Sequence, residues 1–410
     1  MSNKETALIL AGGRGSRMDL FCHLRPKPVL PFAGKLHVID FTLSNCIHSS
    51  FLNIAALVDY QRVYMAEYLE DWAAVNAGSA RISILPPGSS SYAGTADAVY
   101  QNLSWLKDEA GDKILVLAGD HVYKMDYRKM LTFHDEVGAD ATIGVIRVPI
   151  EDAHRFGTVT VDNQNMVRGF VEKSREPLSS LASMGIYVFN KDTLCKRLSE
   201  DAAKKNSSHD FGYAILPEMV KRDKVFAYEF SGYWQDIGTI EAYYHANMEL
   251  LLSQPRFTLD SNCPVLTENH DLPTPQQSKD GKVVNSIISP GCVIRGHVEN
   301  SILSPGIRVE EKATVRNSII MPNVSIGYRS VVDTAILDEG VNVGKFCYVG
   351  FGETFVPGNP NITMIGKEVV IPGQTAIGRM CKILPKAGLH DFAGAVVPAG
   401  TVVKYSPTMA

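Results

Sequence analysis

The chain has 410 residues, with 40 Lys and Arg against 44 Asp and Glu and a formal net charge of −4. Hydrophobic residues make up 45% and charged residues 20%. These proportions are typical of an ordinary globular protein and exclude a disordered, collagen-like or coiled-coil chain. At about 150 residues per domain, the length predicts two or three domains.

The charge balance and the cysteines narrow the class of protein further. The slightly negative charge comes without a basic stripe, so we expect no nucleic-acid partner. No apolar run approaches the ~18–20 residues of a membrane-crossing helix, and the first residues lack the pattern of a signal peptide. We therefore expect no membrane association. The seven cysteines are dispersed, which predicts reduced thiols in a cytoplasmic protein rather than a zinc site.

Up to about residue 252, short β-rich runs alternate with helical patterns. The predicted buried strands are 7–10, 54–57, 114–117 and 142–145. The apolar residues at helical spacing are Ala96, Val99, Leu103 and Leu106, then Tyr127, Met130 and Phe133. This alternation predicts an α/β domain with a doubly wound, mostly parallel (mixed) sheet. Functional groups are expected on loops at the carboxyl ends of the strands.

Beyond residue 252 the period changes. Segments 253–255 and 274–281 have the composition of a linker. Apolar residues then return about every six positions, at Ile288, Ile294, Leu303, Val309, Val315, Ile320, Ile326, Val332, Leu337, Val343 and Val349. This period predicts a β-solenoid, with an all-β sandwich as the alternative.

The predicted organisation is an α/β domain over 1–252, a linker over 253–281 and a β-helix over 282–410. An interruption is expected at Asn359-Pro360-Asn361, and further coils at 369–373 and 396–400. Segment 378–393 receives no interpretation; a cap, an interface and an effector site are all open for it.

A glycine-rich loop directly follows the first strand, with the sequence Leu10-Ala11-Gly12-Gly13-Arg14-Gly15-Ser16-Arg17. Its glycines let backbone amides approach phosphate oxygens, and its arginines match phosphate geometry. Met18 occupies the third glycine position of a dinucleotide fingerprint, and no Walker Gly-Lys-Ser/Thr follows. Ten residues later Arg25-Pro26-Lys27-Pro28 adds cations on a stiffened segment. We interpret both as a polyphosphate site, with a structural turn and a solvated loop as alternatives.

These two segments resemble the signature of sugar-phosphate nucleotidylyltransferases. Further segments narrow the resemblance to the bacterial glucose-1-phosphate adenylyltransferases: IDFTLSNC (39–46), GTADAV (94–99), LAGDHVY (117–123), FVEK (170–173), ASMGIYVF (182–189), SHDFG (208–212) and YWQDIGT (233–239). The hexad half resembles the left-handed parallel β-helix of these enzymes. The resemblance implies Mg²⁺-dependent transfer of AMP from ATP to glucose 1-phosphate, which yields ADP-glucose and pyrophosphate for glycogen or a related α-glucan.

The resemblance also implies roles for individual residues. Asp120 and Asp236 hold Mg²⁺, Arg17 and Lys27 neutralise the polyphosphate, and Lys173 grips the sugar phosphate. The sugar phosphate is expected near Tyr92, Gly157, Glu172, Lys173 and Ser183, and the nucleotide near Leu10, Ala11, Gly12, Gly13, Gly15, Gly94 and Asp97. The second pKa of a phosphate monoester is about 6, so the attacking phosphate is already anionic and needs no catalytic Ser, Cys or His.

Some of these residues also have a purely structural interpretation. Asp236 is alternatively the N-cap of the helix that follows it. Lys173, as a bare Glu-Lys pair, is alternatively a solvated strand end. His121 and His209 are interpreted as structural polar contacts.

Several positions depart from the family pattern. Segment 86–91 is shorter than usual and lacks glutamines, and Ser91 stands where a Trp is common. Leu24 occupies the position of an activator-binding lysine, and Asp59 that of a glutamine. These changes leave the nucleotide open and predict no activation by fructose 1,6-bisphosphate.

Three alternatives to the leading function remain. The same chemistry with UTP, dTTP or glucosamine 1-phosphate is one, and a regulatory subunit is another. An acyltransferase is the third, with His297 and His390 as its only candidate bases in the coils. By resemblance we expect a homotetramer, or a hetero-oligomer with a related subunit.

Overall fold

The computed structural model describes residues 5–88, 90–259, 263–268, 271–352 and 361–406. The chain divides into two compact units. The first unit comprises Met1–Arg14, Val38–Asp236 and Asn262–Glu268, and the second comprises Gly15–His37, Ile237–Ser261 and Asn269–Ala410. The predicted division at 252 and 281 is a division of sequence pattern and stays a prediction.

The elements up to residue 249 are, in chain order, β1 (Glu5–Leu10), β2 (Pro31–Phe32), β3 (Leu36–His37), α1 (Val38–His48), β4 (Asn53–Leu57), α2 (Arg62–Asn76), β5 (Arg81–Leu85), α3 (Thr95–Tyr100), α4 (Leu103–Glu109), β6 (Lys113–Ala118), β7 (His121–Tyr123), α5 (Tyr127–Glu136), β8 (Ala141–Arg147), β9 (Gly157–Val161), β10 (Val167–Glu172), β11 (Leu181–Asn190), α6 (Lys191–Ala202), α7 (Leu216–Arg222), β12 (Val225–Glu229), β13 (Trp234–Asp236) and α8 (Ile240–Glu249). Short 3-10 turns lie at Ser16–Cys22, Lys27–Val29 and Ala153–Arg155, and a π-helical turn lies at Phe211–Ile215.

The first unit is built on a mixed sheet of nine strands, in the order β10-β9-β11-β6-β1-β4-β5, with β8 paired to both β11 and β12. Strands β5, β4, β1 and β6 are mutually parallel, whereas β11 runs antiparallel to β6 and β8. The four predicted strands lie in β1, β4, β6 and β8. The α/β interpretation with a mixed sheet is therefore confirmed, and the antiparallel pairing involves β9, β10 and β11.

The parallel strands explain where the chemistry-bearing loops lie. β1 is apolar and buried along almost its whole length, as expected for a strand covered on both faces. Its last residues are tied to the ends of its neighbours, since the Ala11 amide donates to the Leu57 carbonyl (3.0 Å) and the Gly119 amide donates to the Leu10 carbonyl (3.1 Å). The loops after β1, β4 and β6 thus leave from one edge of the sheet.

The predicted helical runs are also present, with one break. The run from Ala96 to Leu106 forms two helices, α3 and α4, because the helix is interrupted at Gln101 and Asn102. The second run forms α5, which begins at Asp126 as N-cap. None of the described helices is both long and apolar enough to cross a membrane.

The strands from residue 276 onward are β14 (Gln276–Gln277), β15 (Lys282–Val284), β16 (Ile287–Ile288), β17 (Val293–Ile294), β18 (His297–Glu299), β19 (Ile302–Leu303), β20 (Arg308–Val309), β21 (Thr314–Arg316), β22 (Ile319–Ile320), β23 (Ser325–Ile326), β24 (Val331–Asp333), β25 (Ala335–Leu337), β26 (Asn342–Val343), β27 (Tyr348–Phe351), β28 (Thr363–Ile365), β29 (Val370–Ile371), β30 (Ala376–Gly378), β31 (Lys382–Ile383), β32 (Val396–Val397) and β33 (Val402–Val403).

These strands form three parallel sheets, in which every third strand along the chain stacks on the one before, apart from the terminal coil. The periodic apolar residues point inward: from Ile294 to Val349 all ten are buried, and Ile288 packs against them while partly exposed. The solenoid prediction is confirmed and the sandwich alternative is wrong. The further coils predicted at 369–373 and 396–400 carry β29 and β32.

Two regions of the solenoid add to the sequence interpretation. Segment 378–393 supplies β31 to the third sheet and then a 3-10 turn at Leu389–Asp391, so part of it is an ordinary coil. Of the predicted interruption at 359–361, only Asn361 is described; residues 353–360 lie outside the described part.

Burial in the solenoid predicts different costs for one substitution at two sites. Leu337 is 0% exposed and Leu389 is 63% exposed. Leu337→Ala should lower the free energy of unfolding by about 2–5 kcal/mol because it leaves a cavity. Leu389→Ala should change it by less than about 0.5 kcal/mol. Urea unfolding of the full chain measures both, and equal losses would contradict the packing described.

Candidate functional site

Two carboxylates far apart in sequence meet in the first unit. β13 pairs antiparallel with β7, with Asp236 opposite His121, and Asp120 directly precedes β7. The His121 Nε2 atom lies 3.6 Å from Asp120 Oδ1 and 3.8 Å from Asp236 Oδ1. Both predicted metal ligands therefore flank one imidazole nitrogen at the carboxyl end of β6.

Asp236 is not the N-cap of α8. That cap is Thr239, whose hydroxyl accepts from the Ala242 amide. The capping alternative for Asp236 is therefore wrong, because the helix begins three residues later than that reading requires.

The carboxylate pair fits a hard divalent cation that keeps several ligands of its own. Two carboxylates supply oxygen donors, and Mg²⁺ is commonly held by one or two carboxylates together with water and substrate phosphates. Among the described residues, no cluster of three or more His, Cys, Asp and Glu forms a complete protein cage for a metal. Such a donor set suits a metal that arrives with a nucleotide better than a closed structural site.

Aromatic rings connect this pair to the second predicted group. His121 packs edge-on against Trp234 with ring centroids 5.1 Å apart, and Trp234 packs edge-on against Phe156 at 5.3 Å. The His121 Nδ1 atom is buried and has no hydrogen-bond partner in the described structure. Phe156 precedes Gly157, so the row of rings ends at the residues expected to bind the sugar phosphate.

Glu172 is enclosed by two glycines. In the β9–β10 pair it lies opposite Gly157, where a Cβ would come within 2.5 Å of Glu172 Oε2 and 2.6 Å of the Phe170 ring. A Cβ at Gly212 would lie 2.7 Å from Glu172 Cδ. From the sequence, Gly157 is expected near the sugar phosphate; in the structure the space above Gly157 holds the Glu172 carboxylate.

The charge environment of Glu172 is unusual for a carboxylate. Burial raises the pKa of its carboxyl, Asp210 raises the pKa further, and Lys173 opposes both because its Nζ lies 3.4 Å from Oε1. The net direction is upward. Glu172 is thus a confined carboxylate held next to one cation.

Lys173 combines an exposed side chain with an unusual backbone. Its φ is +47°, in the left-handed region that non-glycine residues rarely adopt. Its amide donates to the Phe156 carbonyl (3.0 Å), and its side chain is 49% exposed. Both interpretations of Lys173, a sugar-phosphate ligand and a solvated strand end, stay predictions.

A bulge that begins at Ser183 brings β11 against His121. The register against β8 shifts between Ser183 and Tyr187, with Gly185 at φ +66°. A Cβ at Gly185 would lie 3.3 Å from His121 Cε1, so the bulge touches the imidazole. The Ser183 hydroxyl lies 3.3 Å from the Tyr187 hydroxyl.

The glycine-rich loop is split between the two units. Leu10, Ala11, Gly12 and Gly13 belong to the first unit. A Cβ at Gly12 would lie 3.2 Å from Asp59 Cβ, whereas nothing lies within 4 Å of one at Gly13. Gly12 thus serves close packing against the end of β4, and Gly13 leaves open space of the kind that a phosphate requires.

Gly15, Arg17 and Lys27 belong to the second unit. Gly15 has φ +62°, and a Cβ there would lie 2.8 Å from Lys27 Cβ. Lys27 is only 6% exposed, while Arg17 is exposed. The structure therefore brings Gly15 and Lys27 together, and their proposed role toward phosphate stays a prediction.

The segment around Gly94 is held by the motif SHDFG. A Cβ at Gly94 would lie 2.6 Å from the Ser208 carbonyl oxygen. The Thr95 hydroxyl donates to Asp210 (2.7 Å), and the Ala96 and Asp97 amides donate to the His209 carbonyl. His209 itself lies 2.9 Å from Asp201, which agrees with the structural role expected for it.

Asp97 and Tyr92 mainly serve the fold around them. Asp97 accepts from the Ala93 amide (2.8 Å) and from Gln101 (2.7 Å). The Tyr92 hydroxyl donates to the Leu85 carbonyl (2.9 Å). Both predicted ligand contacts stay untested. Segment 86–91, which departs from the family pattern, is connected to the same hydrogen bonds, because the Gly88 amide donates to Gln101 (3.2 Å). Within that segment, Ser89 lies outside the described residues.

Sequence reasoning missed three contributors. Trp234, Asp210 and Gly212 stood inside recognised motifs but received no role, although the structure sets them against His121, Thr95 and Glu172. The signal available was position alone, since each is adjacent or nearly adjacent in sequence to a residue that was singled out.

The raised pKa of Glu172 predicts a pH-dependent gain from Glu172→Gln. A carboxyl whose folded-state pKa exceeds its unfolded value loses stabilising free energy as pH rises through the folded pKa. The variant should therefore melt above wild type at neutral pH, and the difference should shrink as the pH falls and Glu172 becomes protonated. Thermal unfolding across pH measures this. Glu229→Gln is the control, because Glu229 is half-exposed and paired with Arg147; a gain there, or none at Glu172, would contradict the assignment.

Comparison with known proteins agrees with this geometry. A family model described as nucleotidyl transferase matches residues 6–253. A second, described as GlmU-like C-terminal hexapeptide, matches residues 272–354. Together with the three parallel sheets, the second match supports a left-handed β-helix.

Curated relatives match over most of the chain. The glucose-1-phosphate adenylyltransferase of Thermotoga neapolitana is 40% identical over 414 residues, which cover 97% of this chain and 98% of the relative. The one of Fervidobacterium nodosum is 40% identical over 388 residues, covering 91% and 93%. One of Clostridium botulinum is 44% identical over 364 residues, covering 86% and 94%. The chain therefore belongs to the glucose-1-phosphate adenylyltransferases, a family of nucleotidyltransferase enzymes.

Proposed function

We propose that this enzyme transfers AMP from ATP to glucose 1-phosphate with Mg²⁺, forming ADP-glucose and pyrophosphate for glycogen or a related α-glucan. The observation that supports this proposal most strongly is that a row of aromatic rings connects two groups of residues in the first unit. The carboxylates of Asp120 and Asp236 flank His121, and the row of rings from His121 through Trp234 to Phe156 leads to the Glu172 and Lys173 group.

The reaction places clear demands on the protein. An oxygen of the sugar phosphate attacks the α-phosphorus of ATP, and pyrophosphate leaves. Since the nucleophile is already an anion, the protein must bring two anions together and neutralise the charge that develops on the α-phosphate and on the leaving group. Carboxylates, lysines and arginines in the proposed roles meet that demand without a general base.

Nucleotidyl transferases of this kind use a divalent metal, and we propose Mg²⁺. Asp120 and Asp236 are the residues proposed to hold it. When bound, the metal would supply positive charge that offsets the negative charge of the phosphates. His121, which packs on Trp234, places its Nε2 atom near both carboxylates.

Lys173 and Glu172 are proposed to hold the sugar phosphate in complementary ways. The exposed ammonium of Lys173 pairs with the phosphate, and the confined carboxylate of Glu172 accepts from ring hydroxyls. The left-handed backbone of Lys173 fixes the direction in which its side chain leaves β10. Arg17, Lys27 and the loop glycines are proposed to act on the polyphosphate.

The acyltransferase alternative finds little support. His297 lies on the solenoid beside Glu299 (3.2 Å), and His390 lies 3.0 Å from the Ser406 carbonyl oxygen in the terminal turn. These distances describe two surface contacts rather than a shared acceptor site. A regulatory subunit is the other alternative, and it would have no catalytic activity of its own. An activity measurement therefore distinguishes it from the proposed enzyme.

The test of the proposal is pyrophosphate release by the full chain with Mg²⁺. Five nucleotides (ATP, UTP, dTTP, GTP and CTP) are each combined with glucose 1-phosphate and with glucosamine 1-phosphate. Dominance of ATP with glucose 1-phosphate supports the proposal. Dominance of another pair keeps the chemistry and reassigns the substrates, whereas no release with any pair points to a regulatory subunit.

Asp120→Asn should lower kcat by roughly 10²–10³-fold, because a neutral amide cannot balance the metal charge at the α-phosphate. The melting temperature should change little, since the side chain is one-third exposed. Asp126→Asn is the control, because Asp126 pairs with Arg128 at the start of α5 and has no proposed role in the reaction. A wild-type kcat for Asp120→Asn would remove Asp120 from the metal site.

Lys173→Gln should raise the KM for glucose 1-phosphate by roughly 10–100-fold while the KM for ATP stays near wild type, since one charge-assisted contact to a phosphate is worth about 1.5–3 kcal/mol. Lys221→Gln serves as the matched control, because Lys221 is exposed and pairs with Glu218. An unchanged KM for glucose 1-phosphate would exclude Lys173 from this role.

We also propose a homotetramer, or a hetero-oligomer with a related subunit, in the cytoplasm. Apolar side chains 40–63% exposed cluster in the last coils and support self-association: Val370, Met380, Leu389, Val396, Val402 and Tyr405. All seven cysteines are free thiols, as expected in a reducing compartment. Light scattering of the purified chain tests the oligomer. Fructose 1,6-bisphosphate is not expected to activate, because Leu24 replaces a cation.

A further inference from the structure

We propose that Asp338, a residue of the β-helix, positions the polyphosphate-binding cations through a buried ion pair with Arg25. Asp338 is thereby a positioning residue for catalysis, not a catalytic one. All the residues involved lie in the second unit. The inference rests on the proposed function, since that function assigns Arg17 and Lys27 to the polyphosphate.

The ion pair is almost completely removed from solvent. Arg25 and Asp338 are each 1% exposed, and Arg25 Nη2 lies 2.6 Å from Asp338 Oδ1. Glu339 Oε2 and Met321 Sδ lie 3.3 and 3.4 Å from the same guanidinium. Removing Asp338 takes away the nearer, fully buried carboxylate and leaves the guanidinium with the partly exposed Glu339, so the buried charge is less well compensated and the geometry of this pair is strongly enforced.

Asp338 is itself fixed by the solenoid. It follows β25, and its amide donates to the Ile365 carbonyl of the next coil (2.9 Å). The Glu339 amide donates back to Asp338 Oδ1 (2.7 Å). Burial raises the pKa of the Asp338 carboxyl, and Arg25 opposes that rise. The carboxylate is therefore held by the backbone ladder of the β-helix and faces a single guanidinium.

The chain transmits this anchor to Lys27. Lys27 stands two residues after Arg25 and lies between Pro26 and Pro28, whose rings restrict the backbone on both sides. The Leu30 amide donates to the Lys27 carbonyl (3.0 Å) and closes a 3-10 turn. Lys27 then packs against Gly15, where a Cβ would lie 2.8 Å from Lys27 Cβ. A fixed Arg25 consequently fixes Lys27 and the last glycine of the loop.

Other contacts within the second unit hold the same segment, Gly15–His37, in place. Asp19 pairs with Lys382 of β31. The Tyr243 hydroxyl of α8 donates to the Pro31 carbonyl (2.6 Å), and the Ala33 amide donates to Asn247 (2.8 Å). Compared with these contacts, the Arg25–Asp338 pair is nearer in sequence to Lys27, and both of its charged groups are fully buried. The β-helix thus acts as a scaffold for the segment that carries Arg17 and Lys27, the two cations proposed to bind phosphate.

The test compares Asp338→Asn with Asp333→Asn in the full-length protein. Asp333 is a matched control, because it is a buried carboxylate of the same β-helix (5% exposed) whose arginine partners, Arg316 and Arg379, both belong to the solenoid. Both variants should lower the melting temperature. Asp338→Asn alone should raise the KM and Kd for ATP by roughly 10–100-fold and speed hydrogen exchange in peptides covering 15–37.

Several results would overturn the proposal. Unchanged exchange over 15–37 in Asp338→Asn removes the anchoring, and unchanged ATP affinity removes its consequence. If both variants raise the KM and Kd for ATP equally, the pair contributes only to the general stability of the fold. In addition, the double variant Arg25→Met/Asp338→Leu replaces the pair by apolar groups and should recover the melting temperature. If it also recovers the KM for ATP, the pair has a purely structural role.

Calorimetry with ATP separates this inference from the proposed function. If wild type binds ATP but releases no pyrophosphate with any substrate, the proposed function fails, and the Kd comparison still decides the positioning role. A weaker Kd in Asp338→Asn alone supports it, and equal Kd values contradict it. A wild-type protein that binds no ATP overturns both.

Discussion

The antiparallel pairing of β7 with β13 is the interaction on which the candidate site depends. Two short strands set Asp236 opposite His121 and beside Asp120, although more than a hundred residues separate the two carboxylates in sequence. Two like charges that lie on either side of one imidazole repel each other unless a cation or hydrogen bonds compensate them. The backbone pairing supplies the constraint, and the edge-on stack of His121 on Trp234 and Phe156 extends it to the residues around Glu172.

Space limits the rest of the site as strictly as charge does. Glu172 lies where side chains at Gly157 and Gly212 would collide with it, and the β11 bulge at Gly185 lets that strand approach His121. Each glycine is needed for a neighbour's side chain rather than for a turn alone. A substrate that enters this region therefore meets groups whose positions are set before it arrives, which is the requirement for electrostatic stabilisation of a transition state.

Regular features of the fold were predictable from the sequence, and side-chain encounters were not. The hexad period from Ile288 to Val349 and the apolar runs of β1, β4, β6 and β8 follow directly from how such residues bury themselves. The extent of antiparallel pairing around β11 could not be predicted from strand propensity, because propensity does not indicate which strands pair with each other. The same holds for the reason behind Gly157 and for the burial of Arg25 against Asp338, because both depend on residues that are distant in sequence.

In the proposed reaction, ATP is cleaved at the α-phosphorus and the AMP group passes to a sugar phosphate. ATP labelled either at the α- or at the γ-phosphorus, incubated with Mg²⁺, glucose 1-phosphate and the full chain, tests this cleavage. We expect α-label in ADP-glucose and γ-label in pyrophosphate. Label from the γ-position in a sugar product, or α-label that remains in ADP or ATP alone while the sugar phosphate is consumed, would contradict it.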